Sequence, residues 1–379
     1  TGGTVTQLGV VAATTAAETK PKLGVRGTAA MLVYEQAGAV RGSVYNGTTF
    51  GATFAIAAAG TTPAVAANPA GDYLVAFADT TDVKGQRVSS AGALVGAAFP
   101  VSAAAGVQSE PTVTFGGSNF VVAFTSASNI FGTRVSTAGV VLDTRTENAV
   151  VVGGISLVTA ASVQQRPSLV CGTECLLVWQ DRRNSATYFD VYSKVLTTAL
   201  AGVSAETVVA SAGGVQGQFE PVAVLAGTAY LTVWRDQRDA GAGYVYSTRI
   251  SSAGAALDAG GVLLARGANR QSSPRAARNS NRWLLVWGDS RVAGDDIHAA
   301  RVRNGGSILT AMTVSSATQQ QQQPGTSWDG SNHIVAWSDA RNGNYDIYAA
   351  RVNTSDLTLD AAGILITNAA NDQFLNDVE

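Results

Sequence analysis

The sequence predicts an all-β protein, a seven-bladed β-propeller of four-stranded antiparallel blades, and three observations carry that prediction. A proline recurs seven times, as Pro21, Pro63, Pro111, Pro167, Pro221, Pro274 and Pro324. An aromatic residue follows each proline 12 to 14 positions later: Tyr34, Phe77, Phe124, Trp179, Trp234, Trp287 and Trp337. The intervals hold short apolar runs rich in β-branched and aromatic residues, bounded by Gly, Asn, Asp and Ser, and none has a capped 3.6-residue apolar period. The aromatics recur every 43 to 55 residues, a period that belongs to solenoids, propellers and arrays. Four strands per unit is the blade pattern of a propeller, and radial packing covers faces that an open sheet of that size would expose.

The repeat overrides the two or three domains that 379 residues would otherwise suggest, so residues 1–379 are read as one propeller. The predicted blades run over 19–60, 61–106, 107–161, 162–214, 215–268, 269–318 and 319–368. The last unit shows the strands best. "PGTSW" (324–328) is the first, "HIVAW" (333–337) the second, "DIYAARV" (346–352) the third, and "LTLDAAGILI" (357–366) carries the fourth. Ring closure has two candidate strands. "TVTQLGVVAA" precedes the first unit, so residues 1–18 are a closing or extra edge strand. The tail, 369–379, contains "DQFLNDVE", which matches the start of a next inner strand and predicts a polypeptide that continues. Between units three and four, "DTRTENAVVVGG" (143–154) predicts a long hairpin or loop.

The most informative stretch is "AWSDARNGNYDIYAARV" (336–352), because it returns as "VWGDSRVAGDDIHAARV" (286–302), "VWRDQRDAGAGYVYSTRI" (233–250) and "VWQDRRNSATYFDVYSKV" (178–195). Its polar pairs are Asp181 with Arg183, Asp236 with Arg238, Asp289 with Arg291, and Asp339 with Arg341. These eight are the candidate binding residues, since the loops joining second and third strands emerge on one face of a propeller. Recurrence favours another role: a catalytic site is one asymmetric constellation, whereas a joint is rebuilt in every blade, with Asp capping the turn and Arg pairing with it. The basic residue of the third strand (Arg87, Arg134, Lys194, Arg249, Arg301, Arg351) predicts inter-blade salt bridges. This pattern, P…[VI]xW-x-D-x-R…D-[IV]-Y-x-x-R-V, resembles that of bacterial secreted and cell-surface β-propeller repeat proteins over about residues 19–368. The resemblance implies the propeller fold and a secreted or surface setting, and no particular ligand.

Other chemistry finds little support. Asp339, Asn342, Asn344 and Asp346 are hard oxygen donors, but the other copies do not keep their spacing, and no metal is expected. His298 and His333 stand where other units carry Tyr, Phe or Trp, so both are aromatic fillers. No Ser-His-Asp or Cys-His set and no phosphate loop is visible, and no cofactor is expected. The glutamine run 319–323 is read as loop padding. Cys171 and Cys175 flank a tight turn in "CGTEC", where facing Cβ atoms come close enough for a disulfide; the alternative is a free buried pair. A disulfide favours an oxidising compartment. A net charge of −2 gives no case for nucleic acid, and no apolar stretch is long enough for membrane insertion.

The leading expectation is therefore a non-catalytic extracellular or cell-surface scaffold, not an enzyme, that binds a protein or glycan through one face. The alternative is a lectin-like module using aromatics such as Trp283 and Trp328. A propeller glycosidase or lyase ranks lower. A subunit of a larger surface assembly, contacting its partner through the extra terminal strand, is the fourth reading.

Overall fold

The computed structural model describes residues 18–158, 160–211, 216–226, 229–238, 243–265, 269–279, 282–291, 294–309, 311–367 and 372–375. The predicted closing strand at 4–13 lies outside them.

Seven four-stranded antiparallel sheets follow one another along the chain as the blades of a propeller, with no helix among the described residues. Blade 7 is representative: Gln321–Trp328, His333–Asp339, Asp346–Val352 and Ile364–Thr367 run from the axis outward. The fourth strand is shorter than predicted. The segment before it is a turn, touching the third strand through one bridge between Val352 and Thr358. Blade 3 carries the predicted insertion as a separate hairpin, Thr144–Glu147 with Val150–Gly153, before its short outer strand Ile155–Ser156.

Side chains alternate between the two faces of each strand, so each second strand serves two neighbouring blades. In blade 6, Trp283, Leu285 and Trp287 pack toward blade 5, while Leu284 and Val286 pack toward blade 7. All five are at most 1% exposed. Continuous apolar runs in these strands are therefore explained by burial on both faces.

The recurrent proline marks a bulge in the inner strand. The residue before it (Lys20, Thr62, Glu110, Arg166, Glu220, Ser273 or Gln323) has a φ between 49° and 56° in every blade. An L-residue there costs on the order of 1–3 kcal/mol and persists only where its surroundings over-determine it. Here the preceding blade supplies the constraint at several seams. Arg166 N–H donates to Glu110 Oε2 at 2.9 Å, Glu220 N–H to Gln180 Oε1 at 3.0 Å, and Ser273 N–H to Glu220 Oε2 at 3.1 Å. Thr62 N–H donates likewise to Glu35. The glutamine run is not padding: Gln321 opens the inner strand of blade 7 fully buried, and Gln323 is its pre-proline residue.

Cys171 and Cys175 are joined by a disulfide across the hairpin of blade 4. The bond is compatible with an oxidising compartment. No helix among the described residues is long and apolar enough to cross a membrane.

Candidate functional site

The Trp-x-Asp-x-Arg stretches fold into one local unit in blades 4 to 7. Trp179 Nε1 donates to Asp181 Oδ2 at 2.8 Å, and the Arg183 guanidinium donates to the same oxygen at 2.6 Å. Arg183 N–H donates to the other oxygen, Oδ1, at 2.8 Å. The guanidinium lies 4.1 Å from the centre of the Tyr192 ring, which stacks in turn on Trp179 at 6.0 Å. Blades 5 and 7 reproduce the unit with Trp234, Asp236, Arg238 and Tyr246, and with Trp337, Asp339, Arg341 and Tyr348. Blade 6 stacks His298 on Trp287 in the tyrosine's place.

All four aspartates are 0% exposed, and their own blade's donors occupy both oxygens. Burial pushes the Asp289 carboxyl up, but the Arg291 and Trp287 hydrogen bonds outweigh it and hold the pKa below the usual carboxylate range. The four arginines keep one partly exposed edge. Asn342 donates to Asp346 at 2.7 Å and to the Tyr348 hydroxyl at 3.0 Å, so these polar groups satisfy one another. Among the described residues no cluster of His, Cys, Asp or Glu could hold a metal ion.

The third-strand arginines differ from expectation. Arg134, Arg249 and Arg351 pair within their own blade, with Asp143 at 2.8 Å, Asp258 at 2.7 Å and Asp360 at 2.8 Å. The aspartate lies nine residues on, in the turn toward the fourth strand. Arg301 is the inter-blade case, reaching Asp356 of blade 7. Arg87 and Arg249 also cross a seam, donating to the carbonyls of Ala138 and Asn304.

The place where the repeat breaks is the axis. A cavity of about 1140 Å³ is lined by the inner strands of all seven blades. At the position after the proline its walls carry Lys22, Ala64, Thr112, Ser168, Val222 and Arg275. Three residues further, blade 6 contributes Arg278 and blade 7 contributes Trp328. The sector made by blades 6, 7 and 1 is thus basic and aromatic. The lining acids lie elsewhere and are engaged. Glu110 accepts from Thr125 Oγ1 at 3.0 Å besides Arg166 N–H, and Glu220 accepts from Ser273 N–H. Sequence reasoning named Trp328 but missed Lys22, Arg275 and Arg278. Aligning the units on their prolines exposes all three as departures.

No family model matches this chain, and no curated protein does. Solved structures do. A puromycin hydrolase superposes with a TM-score of 0.55 at 14% identity, covering 93% of this chain and 55% of its own. A puromycin-hydrolyzing peptidase of Mycobacterium tuberculosis gives 0.55 at 13% identity, covering 91% and 52%. This chain therefore spans about half the length of those two. A thermostable family-43 glycoside hydrolase follows with a TM-score of 0.41 at 12% identity, covering 71% and 96%. At such identities the shared property is the fold. The expectation of a non-catalytic scaffold, and with it the expectation that the chain is not an enzyme, is nonetheless corrected by this finding. It rested on seeing no catalytic set in the repeats, and the propellers this chain is most like belong to hydrolases, so a plainly repetitive ring is no sign of a mere binding scaffold.

Proposed function

We propose that this chain is the propeller portion of an exported hydrolytic enzyme, and that its axial cavity admits, holds and orients a peptide-like substrate. The observation that carries the proposal is the cavity itself: about 1140 Å³ on the axis, with cations and a tryptophan where other blades have small or neutral residues. Lys22, Arg275 and Arg278 suit a carboxylate, and Trp328 offers a ring face to an apolar side chain. The likeness to two puromycin-hydrolyzing enzymes supports a peptide-like amide as the class. The disulfide and the resemblance to surface propeller repeats support an extracytoplasmic setting.

Tryptophan fluorescence tests this directly. Five of the six tryptophans are at most 1% exposed, which leaves Trp328 to report on the cavity. Titration with puromycin and with trialanine should give saturable quenching that Trp328→Phe abolishes. Trialanine should bind more tightly than its C-terminal amide, and Arg275→Ala should remove that preference. No saturable change with either probe at millimolar concentration overturns the proposal.

A further inference from the structure

Six seams between successive blades are built alike. Each holds one apolar core shared by two blades, from blades 1 and 2 through to blades 6 and 7. Each also has one backbone hydrogen bond at the rim, from the first position of an inner strand to the second loop of the preceding blade. Gly60 N–H donates to Gly38 O at 2.9 Å, and Gln108 N–H to Thr81 O at 2.7 Å. Gln164, Gln218, Gln271 and Gln321 repeat the bond at 2.7 to 2.8 Å.

On blade 7 the corresponding carbonyl is that of Tyr345, and Gln373 N–H fills it at 2.6 Å. The next residue follows the same pattern. The Phe374 ring sits 5.0 Å from that of Tyr345, as Phe219 sits 6.4 Å from Phe189 at the seam of blades 4 and 5. Leu375 N–H then donates to Ser338 Oγ at 2.7 Å. Residues 372–375 thus occupy the place where a next inner strand starts, although blade 1 already has its own inner strand, Glu18–Arg26.

Blades 7 and 1 do not make a seventh seam of this kind. Among the described residues no apolar core joins them, and their inner strands do not pack as the other six neighbouring pairs do. Ile334 and Ile347 on the far face of blade 7 stay partly exposed, whereas their counterparts in blade 6, Leu284 and Ile297, are 0% exposed. Blade 7 also has its own outer strand, Ile364–Thr367. In the sequence, "TVTQLGVVAA" (4–13) stands before blade 1 as an outer strand that none of the seven blades claims.

We infer that the far face of blade 7 is the docking surface for one further repeat unit, covalently continuous with Leu375, whose outer strand is residues 4–13. The unit's inner strand is begun by Asp372–Leu375 in the register of the other blades. Its apolar faces cover Ile334 and Ile347 on one side and blade 1 on the other, and the N-terminal strand locks the ring.

Electron microscopy of the 379-residue chain tests this first. The expected particle is an open ring of seven blades with one wedge vacant between blades 7 and 1. A closed seven-bladed ring with the inner strand of blade 1 against blade 7 overturns the inference. A second chain, with a copy of residues 324–352 joined after Leu375, should close the ring and melt about 5 °C or more above a control extended by a Gly-Ser segment of equal length. A properly folded extended chain without that rise, or with the added unit unpacked, also overturns it. The first measurement decides whether or not the extended chain folds.

Discussion

Blades 4 to 7 and blades 1 to 3 solve the same packing problem with different residues. In the later blades a fully buried aspartate ties a tryptophan indole to an arginine, and the arginine covers the aromatic residue of the third strand. In blade 2 the aspartate position is Asp79 and the aromatic position is Lys84, so the unit shrinks to a direct ion pair with both groups partly exposed. Blade 3 has no such aspartate. There the inserted hairpin delivers Arg145 over the Phe131 ring at 4.2 Å, and its guanidinium donates to Gly153 O at 2.9 Å and Gly154 O at 2.6 Å. Arg238 and Arg341 make the matching bonds to Gly260 O and Ala362 O. What the fold repeats is therefore a cation over a ring, anchored to the turn before the outer strand; the loop that supplies the cation is free to change.

The sharpest break of this comparison is to remove the aspartate. Asp181→Ala strands a buried indole N–H and a desolvated guanidinium, and should cost about 3–5 kcal/mol in chemical denaturation. Asp79→Ala removes a pair that water already screens, and should cost about 0–1 kcal/mol. Equal losses would show that burial does not separate the two halves.

The next effect is set by pH. His333 is 0% exposed, and neither ring nitrogen has a hydrogen-bond partner among the described residues. Burial, aided by the nearby Arg301 charge, lowers its pKa from 6.5 to about 3. A base with a depressed folded pKa contributes stability above its unfolded pKa and loses it as pH falls. Below pH 6.5 the unfolded chain takes up a proton that the folded chain refuses, at about 1.4 kcal/mol per pH unit. His298 is depressed in the same direction, chiefly by burial. Carboxylates held low, such as Asp289, lose their contribution only below about pH 4. Between pH 7 and 4.5 the Tm should therefore fall, and His333→Phe, the residue blade 3 carries as Phe120, should fall clearly less. An unchanged drop in that variant would remove His333 from the account.

Arg145 probes the substituted joint. Arg145→Ala loses a ring contact and two bonds from a charged donor, and should cost about 2 kcal/mol. Arg145→Lys should not restore it, because a point ammonium cannot serve the ring and two carbonyls together. Full rescue by lysine would mean that charge alone matters and would dissolve the likeness to Arg238 and Arg341.

The sequence showed the blade count because proline and aromatic punctuate every unit, and it showed the joint because four copies of Asp-x-Arg cannot all be one catalytic site. It hid whatever depends on pairing across loops. The spacing of nine between Arg134 and Asp143, Arg249 and Asp258, and Arg351 and Asp360 was visible, but it identifies a partner only once the third and fourth strands are known to form a hairpin. Arg145 was illegible as a joint residue because it arrives from a different loop. The cavity was hidden differently. Lys22 and Arg275 depart from the pattern one residue after the proline, where attention to what recurs passes over what does not.

The smallest expected effect sits where the two halves meet. The Cys171–Cys175 disulfide closes a loop with a sequence separation of only 4, so the chain entropy it removes is worth at most about 2 kcal/mol. Cys171→Ser with Cys175→Ser should cost about 1–2 kcal/mol, less than loss of any buried aspartate. The bond also fills space against blade 3. A Cβ placed on Gly116 would lie 2.8 Å from Cys171 Cβ and 3.0 Å from its sulfur. Gly116→Ala should therefore be destabilising in the native chain, and less so in the serine variant, where the side chain at 171 regains freedom to move. Coupling of that sign in a double-mutant cycle would place the disulfide in the seam between blades 3 and 4, whereas strict additivity would confine its role to the hairpin.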